Sequence, residues 1–300
     1  MRNRILEISE VPARLRIERR QLVIESEPRS ERIPLEDVAV LVVAHPQVSY
    51  TQAVLAELAA SGGTFVTCDR SRMPIGILLP LDGNSIQNER FRHQLELSKP
   101  RQKQAWKQII KAKVHMQATL LEIRLQTDAG LRPLISQIRS GDPSNIEGRA
   151  ARKYWTALFG SDFRRDRDAA DHNRLLNYGY AILRAATARA IVAAGLHPSL
   201  GLHHHNKYNA YCLADDLMEP YRPIVDRAVA ELVDDYDETP EMNQEVRACL
   251  LRSLLSSFLI SQQQRSLFNA LSRTASSLVS IIQGNSDQLE LPEDFAHAPA

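Results

Sequence analysis

Polar and apolar residues alternate from Arg14 to Ile24, in "RLRIERRQLVI", and a period of two predicts a pair of half-buried strands joined by a turn at the polar "ERRQ". The run "VAVLVVA" at 38–44 has no polar face, which predicts a strand buried on both sides. After His45 and Pro46 the period changes. In "SYTQAVLAELAASGG", Ser49 or Thr51 is a candidate helix cap, Val54, Leu55 and Leu58 fall at helical spacing, and Gly62 and Gly63 stop the helix. "TFVTCD" (64–69) and "IGILLPL" (75–81) add two strands, after which β-type patterning ends.

"DGNSIQN" at 82–88 is the candidate linker, because Gly, Asn and Ser cluster where the period shifts from two to about 3.6. Beyond it the spacing predicts helices over 88–98, 101–126, 130–139, 145–159, 169–195, 217–235, 241–262 and 264–283, punctuated by Pro100, Gly141-Asp142-Pro143, Pro198 and Pro240. The polar, proline-bearing segment 284–300 predicts an irregular tail unless a partner orders it. The fold class is therefore α+β in two domains: a small, mostly β domain at 1–81 and a large all-α domain at 89–283.

Charge changes this picture through its distribution. The formal net charge is only +1, yet residues 88–127 carry nine Lys or Arg against three Glu, and residues 213–245 carry eleven Asp or Glu against two Arg. Cys68, Cys212 and Cys249 lack C-x-x-C spacing, which argues against a disulfide framework or a thiolate zinc site and predicts a reducing cytoplasm. The N-terminus is too charged for a signal peptide, and no apolar run approaches the roughly 20 residues of a membrane span, so no membrane partner is expected.

Three stretches are candidates for chemistry. Ser144 to Glu147 has the S-x-x-E spacing of a capping box, but Glu147 is also followed by Gly148, Arg149, Arg152 and Lys153, a carboxylate in a basic setting suited to phosphate chemistry. Asp216 and Glu219 repeat the cap spacing at an expected helix start near 217, with Pro220 and Pro223 behind them. Capping leaves His203, His204 and His205 unexplained; imidazoles beside carboxylates suit Mn²⁺ or Mg²⁺, and a solvated loop is the alternative. Lys103, Lys107 and Lys111 at four-residue spacing, with Arg90, Arg92 and the "RRDR" at 164–167, predict either a solvated face or contact with nucleic acid. No dinucleotide, P-loop or hydrolase-elbow motif is present.

"NIEGRAARKYW", "NRLLNYGYAILRA" and "GLHHHNKYNAYCLADDLMEPYRPIVD", in that order, resemble CRISPR-associated protein 1, the integrase of CRISPR adaptation, and most closely its type II form. The resemblance runs from end to end of the chain. It implies a metal-dependent DNA endonuclease and integrase that inserts spacer DNA by attack of a 3′-hydroxyl on a repeat-border phosphodiester. A branched-DNA repair nuclease and a non-catalytic DNA-binding scaffold are the rival readings. The implied ligands of Mg²⁺ or Mn²⁺ are Glu147, His204 and Glu219, with His205 and Asp216 as alternatives. Arg149, Arg152 and Arg222, together with Lys103, Lys107, Lys111, Arg164 and Arg165, are the candidate DNA contacts. The implied partners are a spacer-precursor duplex, the CRISPR repeat and CRISPR-associated protein 2. The N-terminal domain would form a homodimer, and two dimers would flank a partner dimer.

Overall fold

A computed structural model describes residues 3–166, 168–236 and 239–296; Arg167 of the "RRDR" run, Asp237 and Glu238 of the acidic stretch, and the ends of the expected N-terminal domain and tail lie outside the described residues. In chain order the N-terminal part contains β1 (Arg4–Ile8), β2 (Arg14–Glu18), β3 (Gln21–Ser26), β4 (Arg29–Pro34), β5 (Val38–Val43), β6 (Ser49–Tyr50), α1 (Gln52–Ala60), β7 (Thr64–Cys68) and β8 (Pro74–Leu78). They form two four-stranded sheets, ordered β1-β5-β7-β8 and β4-β3-β2-β6. The predicted turn at "ERRQ" is the β2–β3 hairpin, closed by Glu18 opposite Gln21 with Arg19 and Arg20 both at positive φ.

β5 explains its own lack of a polar face. Leu41 and Val43 pack with Leu15, Leu22, Val54 and Leu58 between the two sheets. Val40 and Val42, pointing the other way, join the core of the helical region. One strand thus belongs to two cores, and alternation is lost.

The C-terminal part contains α2 (Gln87–Glu96), α3 (Lys99–Leu125), α4 (Arg132–Ile135), α5 (Ile146–Phe159), α6 (His172–Ala193), α7 (Cys212–Met218), a 3-10 turn (Glu219–Tyr221), α8 (Pro223–Tyr236), α9 (Gln244–Ser253), β9 (Ser257–Ile260), β10 (Gln263–Ser266), α10 (Leu267–Ile282) and β11 (Asp294–Phe295). The fold is α+β, with N-terminal sheets and a C-terminal helical region.

Four expectations are corrected. The all-α C-terminal reading misses the small sheet β10-β9-β11: "SFLISQQQRS" buries Phe258 and Ile260 at period two and turns at Ser261 and Gln262, both at positive φ. The helix expected at 217 starts at Cys212, and the helix expected over 130–139 shrinks to Arg132–Ile135. The described part of the tail is held by the chain itself, through buried Leu289 and Phe295 and the pairing of β11 with β9.

Arg247 joins the two parts. It is fully buried on α9 and donates to Glu7 Oε1 on β1 at 2.8 Å, to the Met242 carbonyl at 2.6 Å and to Glu10. Tyr178 on α6 donates to the same Glu7 oxygen at 3.0 Å. Arg247→Met should therefore lower stability by about 3–5 kcal/mol, because Glu7 would keep a buried charge without its partner; urea unfolding of the two proteins measures it. No helix among the described residues is long and apolar enough to cross a membrane.

Candidate functional site

The first turn of α5 is capped without using the Glu147 carboxylate. Asp142 accepts from the amides of Ile146 at 2.9 Å and Glu147 at 2.8 Å, and Asn145, the N-cap, accepts from the Gly148 amide at 3.1 Å. A Cβ on Gly148 would stand 2.6 Å from Asn145 Oδ1, so the glycine makes room for the cap. The capping-box reading of Ser144 and Glu147 is thus replaced by Asp142 and Asn145. Glu147 instead reaches α3, where its Oε1 accepts from Lys113 Nζ at 2.6 Å.

Lys113 is buried on α3 and reaches a second carboxylate. Its Nζ lies 2.7 Å from Oε2 of Glu219, which sits in the 3-10 turn, and Arg222 Nη2 lies 3.0 Å from Oε1 of the same group. The contact to Oε2 meets the distance of an ion pair but not the geometry of a hydrogen bond, so Oε2 is a buried carboxylate oxygen with only ionic compensation. Burial would push the Glu219 carboxyl up, but Arg222 and Lys113 outweigh it and hold it below the usual range. Burial would likewise lower the Lys113 ammonium, and Glu219 and Glu147 reverse that and raise it.

Asp216 is not a cap either. It lies inside α7, fully buried, and accepts from the amides of Leu202 at 2.6 Å, His203 at 3.0 Å and His204 at 3.4 Å, and from His204 Nδ1 at 2.5 Å. An ionised carboxylate only accepts, so Nδ1 carries the proton and Nε2 is the ring nitrogen available to a further partner. The Asp216 hydrogen bond raises the His204 pKa, and Glu219 and Glu147 are near enough to add to the effect. A Cβ on Gly201 would stand 2.3 Å from the His204 carbonyl and 3.1 Å from Asp216 Oδ2, so the tight loop over Asp216 requires glycine.

The three histidines separate cleanly. His203 stacks on Trp106 of α3, with ring centroids 4.3 Å apart and planes 2° from parallel. Burial lowers its pKa. His205 is exposed. Only His204 combines a fixed Nδ1 with proximity to Glu147 and Glu219.

Glu147 and Glu219 line one cleft of about 720 Å³, with Lys113, Arg152, Arg164, Arg165 and Arg222 around them. Arg152 is exposed; Arg164 is exposed too but donates to the carbonyls of Ser161 at 2.6 Å and Phe163 at 2.8 Å, and Arg165 donates to Asn173 and Asn177 at 2.7 Å each. Arg149 and the row Lys103, Lys107 and Lys111, earlier on α3, fall outside this lining. Among the described residues no group of three or more His, Cys, Asp or Glu stands at ready metal-binding spacing. The donor set nevertheless fits a hard divalent cation: two carboxylates from separate elements already share one positive nitrogen, and Oε2 of Glu219 lacks a hydrogen bond.

Two features of the site escape sequence reasoning. Lys113 was hidden in the apolar stripe of α3, between Ile110 and Val114, where its burial was the only signal. Asp226 on α8 is the other: it accepts from Tyr154 at 2.7 Å and from Tyr180, and Tyr180 packs its ring under Arg222, 5.0 Å from centroid to guanidinium. Burial is the largest influence on Asp226 and raises its pKa to about 6, against the tyrosine hydrogen bonds that oppose it. A carboxyl raised in the folded state contributes its stability in full below its unfolded pKa and loses it as pH climbs through the folded one. The contribution of Asp226 to stability should therefore fall between about pH 4 and 6, by on the order of 2–3 kcal/mol. Asp226→Asn should flatten that slope, which melting curves at pH 4.5 and pH 7 would register.

Residues 6–264 match the family model described as CRISPR associated protein Cas1. The chain is 37% identical over 283 residues to the CRISPR-associated endonuclease Cas1 of Neisseria meningitidis serogroup C (strain 8013), covering 93% of each. Among solved structures, it is similar to a casposase bound to integration product, with a TM-score of 0.80 at 18% identity over 95% of this chain and 92% of that one. It is also similar to a chain of a Cas6-RT-Cas1–Cas2 complex, with a TM-score of 0.75 at 19% identity over 97% of this chain and 36% of that one. At those identities the structures establish the fold alone, while the family match spans α5, the histidine loop and the 3-10 turn. The chain belongs to the CRISPR-associated protein Cas1 family.

Proposed function

We propose that the chain is a divalent-metal-dependent DNA endonuclease and integrase of CRISPR adaptation. The observation that carries this reading is the closure of Glu147 and Glu219, from separate elements, on one positive nitrogen, with His204, anchored by Asp216, near enough for both carboxylates to raise its pKa. Glu147, Glu219 and His204 Nε2 would hold Mg²⁺ or Mn²⁺, and Asp216, its oxygens already occupied, would orient His204 rather than bind. When bound, the cation would offset charge on the scissile phosphate and on the leaving 3′-oxygen. The chain's own contribution is then to bind and align DNA. Arg152, exposed at the cleft, would present paired donors to phosphate oxygens, and Arg164 would add positive charge beside it from a guanidinium anchored on the Ser161 and Phe163 carbonyls. Lys103, Lys107, Lys111 and Arg149 would contact duplex outside the cleft, while Arg165 and Arg222, engaged with Asn173, Asn177 and Glu219, shape its wall.

In the reaction, the 3′-hydroxyl of incoming DNA attacks a phosphodiester at the repeat border. A new P–O bond forms as the bond to the leaving 3′-oxygen breaks, so one phosphodiester replaces another and no nucleoside triphosphate is consumed. With water in place of the hydroxyl, the same site hydrolyses DNA. A similar chain occurs in a Cas6-RT-Cas1–Cas2 complex, which supports CRISPR-associated protein 2 as a partner here; homodimers of this chain flanking that partner are what the family resemblance implies. The test is simple: purified protein should nick an end-labelled branched duplex in Mg²⁺ or Mn²⁺ and leave it intact in EDTA. Tight DNA binding without cleavage in either cation would make the protein a scaffold and end this reading.

A further inference from the structure

Lys113 accounts for the charge of the site without any added ion. Glu147 and Glu219 bring two negative charges, and Lys113 and Arg222 bring two positive ones, all within direct contact. One oxygen of each glutamate that would hold a divalent cation already lies against Lys113 Nζ, at 2.6 and 2.7 Å. An ammonium and a divalent cation cannot share them, because like charges at that separation in a partly buried site repel strongly. The ammonium must therefore withdraw when the cation enters. Lys113 also lines the cleft whose rim carries Arg152 and Arg164, so its side chain has a place to go when an anionic ligand fills that space.

We propose that Lys113 is a resident counter-ion: it holds the Glu147–Glu219 pair until a divalent cation displaces it, and then turns its ammonium to a DNA phosphate in the cleft. The inference rests on the proposed metal site. It makes metal and DNA loading mutually reinforcing, since each ligand removes the obstacle to the other. It also keeps the carboxylates apart from each other's charge while the protein waits for both.

The test uses Mn²⁺ alone, followed by electron paramagnetic resonance, on the full chain without DNA. Lys113→Gln should bind Mn²⁺ more tightly than wild type, by roughly tenfold or more, because the competing charge is gone. Lys113→Arg, which keeps the charge, should stay near wild type. A purely structural role predicts the opposite sign, with Lys113→Gln weakening the site. A second measurement needs no neutralised variant: in wild-type protein labelled with ¹⁵N at lysine side chains, saturating Mg²⁺ should shift the Lys113 ammonium signal, assigned by its loss in Lys113→Arg. Binding that Glu147→Gln abolishes but Lys113→Gln leaves unchanged or weaker, or a Lys113 signal that Mg²⁺ does not move, overturns the role of Lys113 alone. Wild-type protein with no Mn²⁺ site sensitive to Glu147→Gln overturns the metal reading and this inference with it.

Discussion

Glu147→Ala should lose DNA nicking and strand transfer by about a thousandfold while the protein keeps its fold and most of its stability. The reason lies in where the charge goes. Glu147 has a side chain 25% exposed, its helix is capped by Asp142 and Asn145, and Lys113 keeps Glu219 as a partner when Glu147 is gone. Circular dichroism and urea unfolding should therefore show a native protein without chemistry. Glu219→Ala should differ in a measurable way. Its carboxylate is only 4% exposed and answers both Lys113 and Arg222, so its removal leaves buried positive charge and should cost about 3–5 kcal/mol of stability besides activity. Equal stability loss in both variants would mean that the two carboxylates are not placed as described.

His204→Ala should reduce cleavage about a hundredfold or more, whereas His203→Ala and His205→Ala should stay within a few-fold of wild type. The three side chains are consecutive, yet their surroundings assign different work. His203 spends its ring on Trp106, His205 faces solvent, and His204 alone is fixed by Asp216. Asp216→Asn extends the comparison. An amide can still accept from the loop amides, but it no longer stabilises a protonated Nδ1 as a carboxylate does, so cleavage should drop about 10–100-fold with the fold retained. Rates on one labelled branched duplex, for the four variants in parallel, decide the matter. A loss in His205→Ala as large as in His204→Ala would contradict the assignment.

Much of this was legible in the sequence where local pattern and tertiary role coincide. β2 turns Leu15 and Ile17 toward the core between the sheets, so its alternation survives in "RLRIE", whereas β3 buries Leu22, Val23 and Ile24 in succession, and the run at 38–43 is apolar because β5 serves two cores. The carboxylates and histidines were legible as a candidate metal site, through their types and the family resemblance, but their mutual contacts were not. A capping box explained Glu147 until Asn145 was seen to do the capping, and Asp216 resembled a cap because α7 starts five residues before the expected 217, at Cys212. Lys113 was out of reach, since its partners Glu147 and Glu219 come from α5 and the 3-10 turn, and no local spacing records such contacts. The β9–β10 hairpin failed for a related reason: two short strands between helices leave too few residues for a period of two to stand out from the apolar run around them.

The central claim is that Glu147, His204 and Glu219 form one cation-dependent centre for DNA strand transfer. It is tested most directly by incubating the protein and its CRISPR-associated protein 2 with a labelled short duplex bearing free 3′-hydroxyls and a plasmid carrying the repeat array. The account predicts a covalently joined product at the repeat border in Mg²⁺ or Mn²⁺, lost in EDTA, with Glu147→Ala, or when the array is replaced by unrelated sequence. Joined product that persists with Glu147→Ala or in EDTA would contradict it.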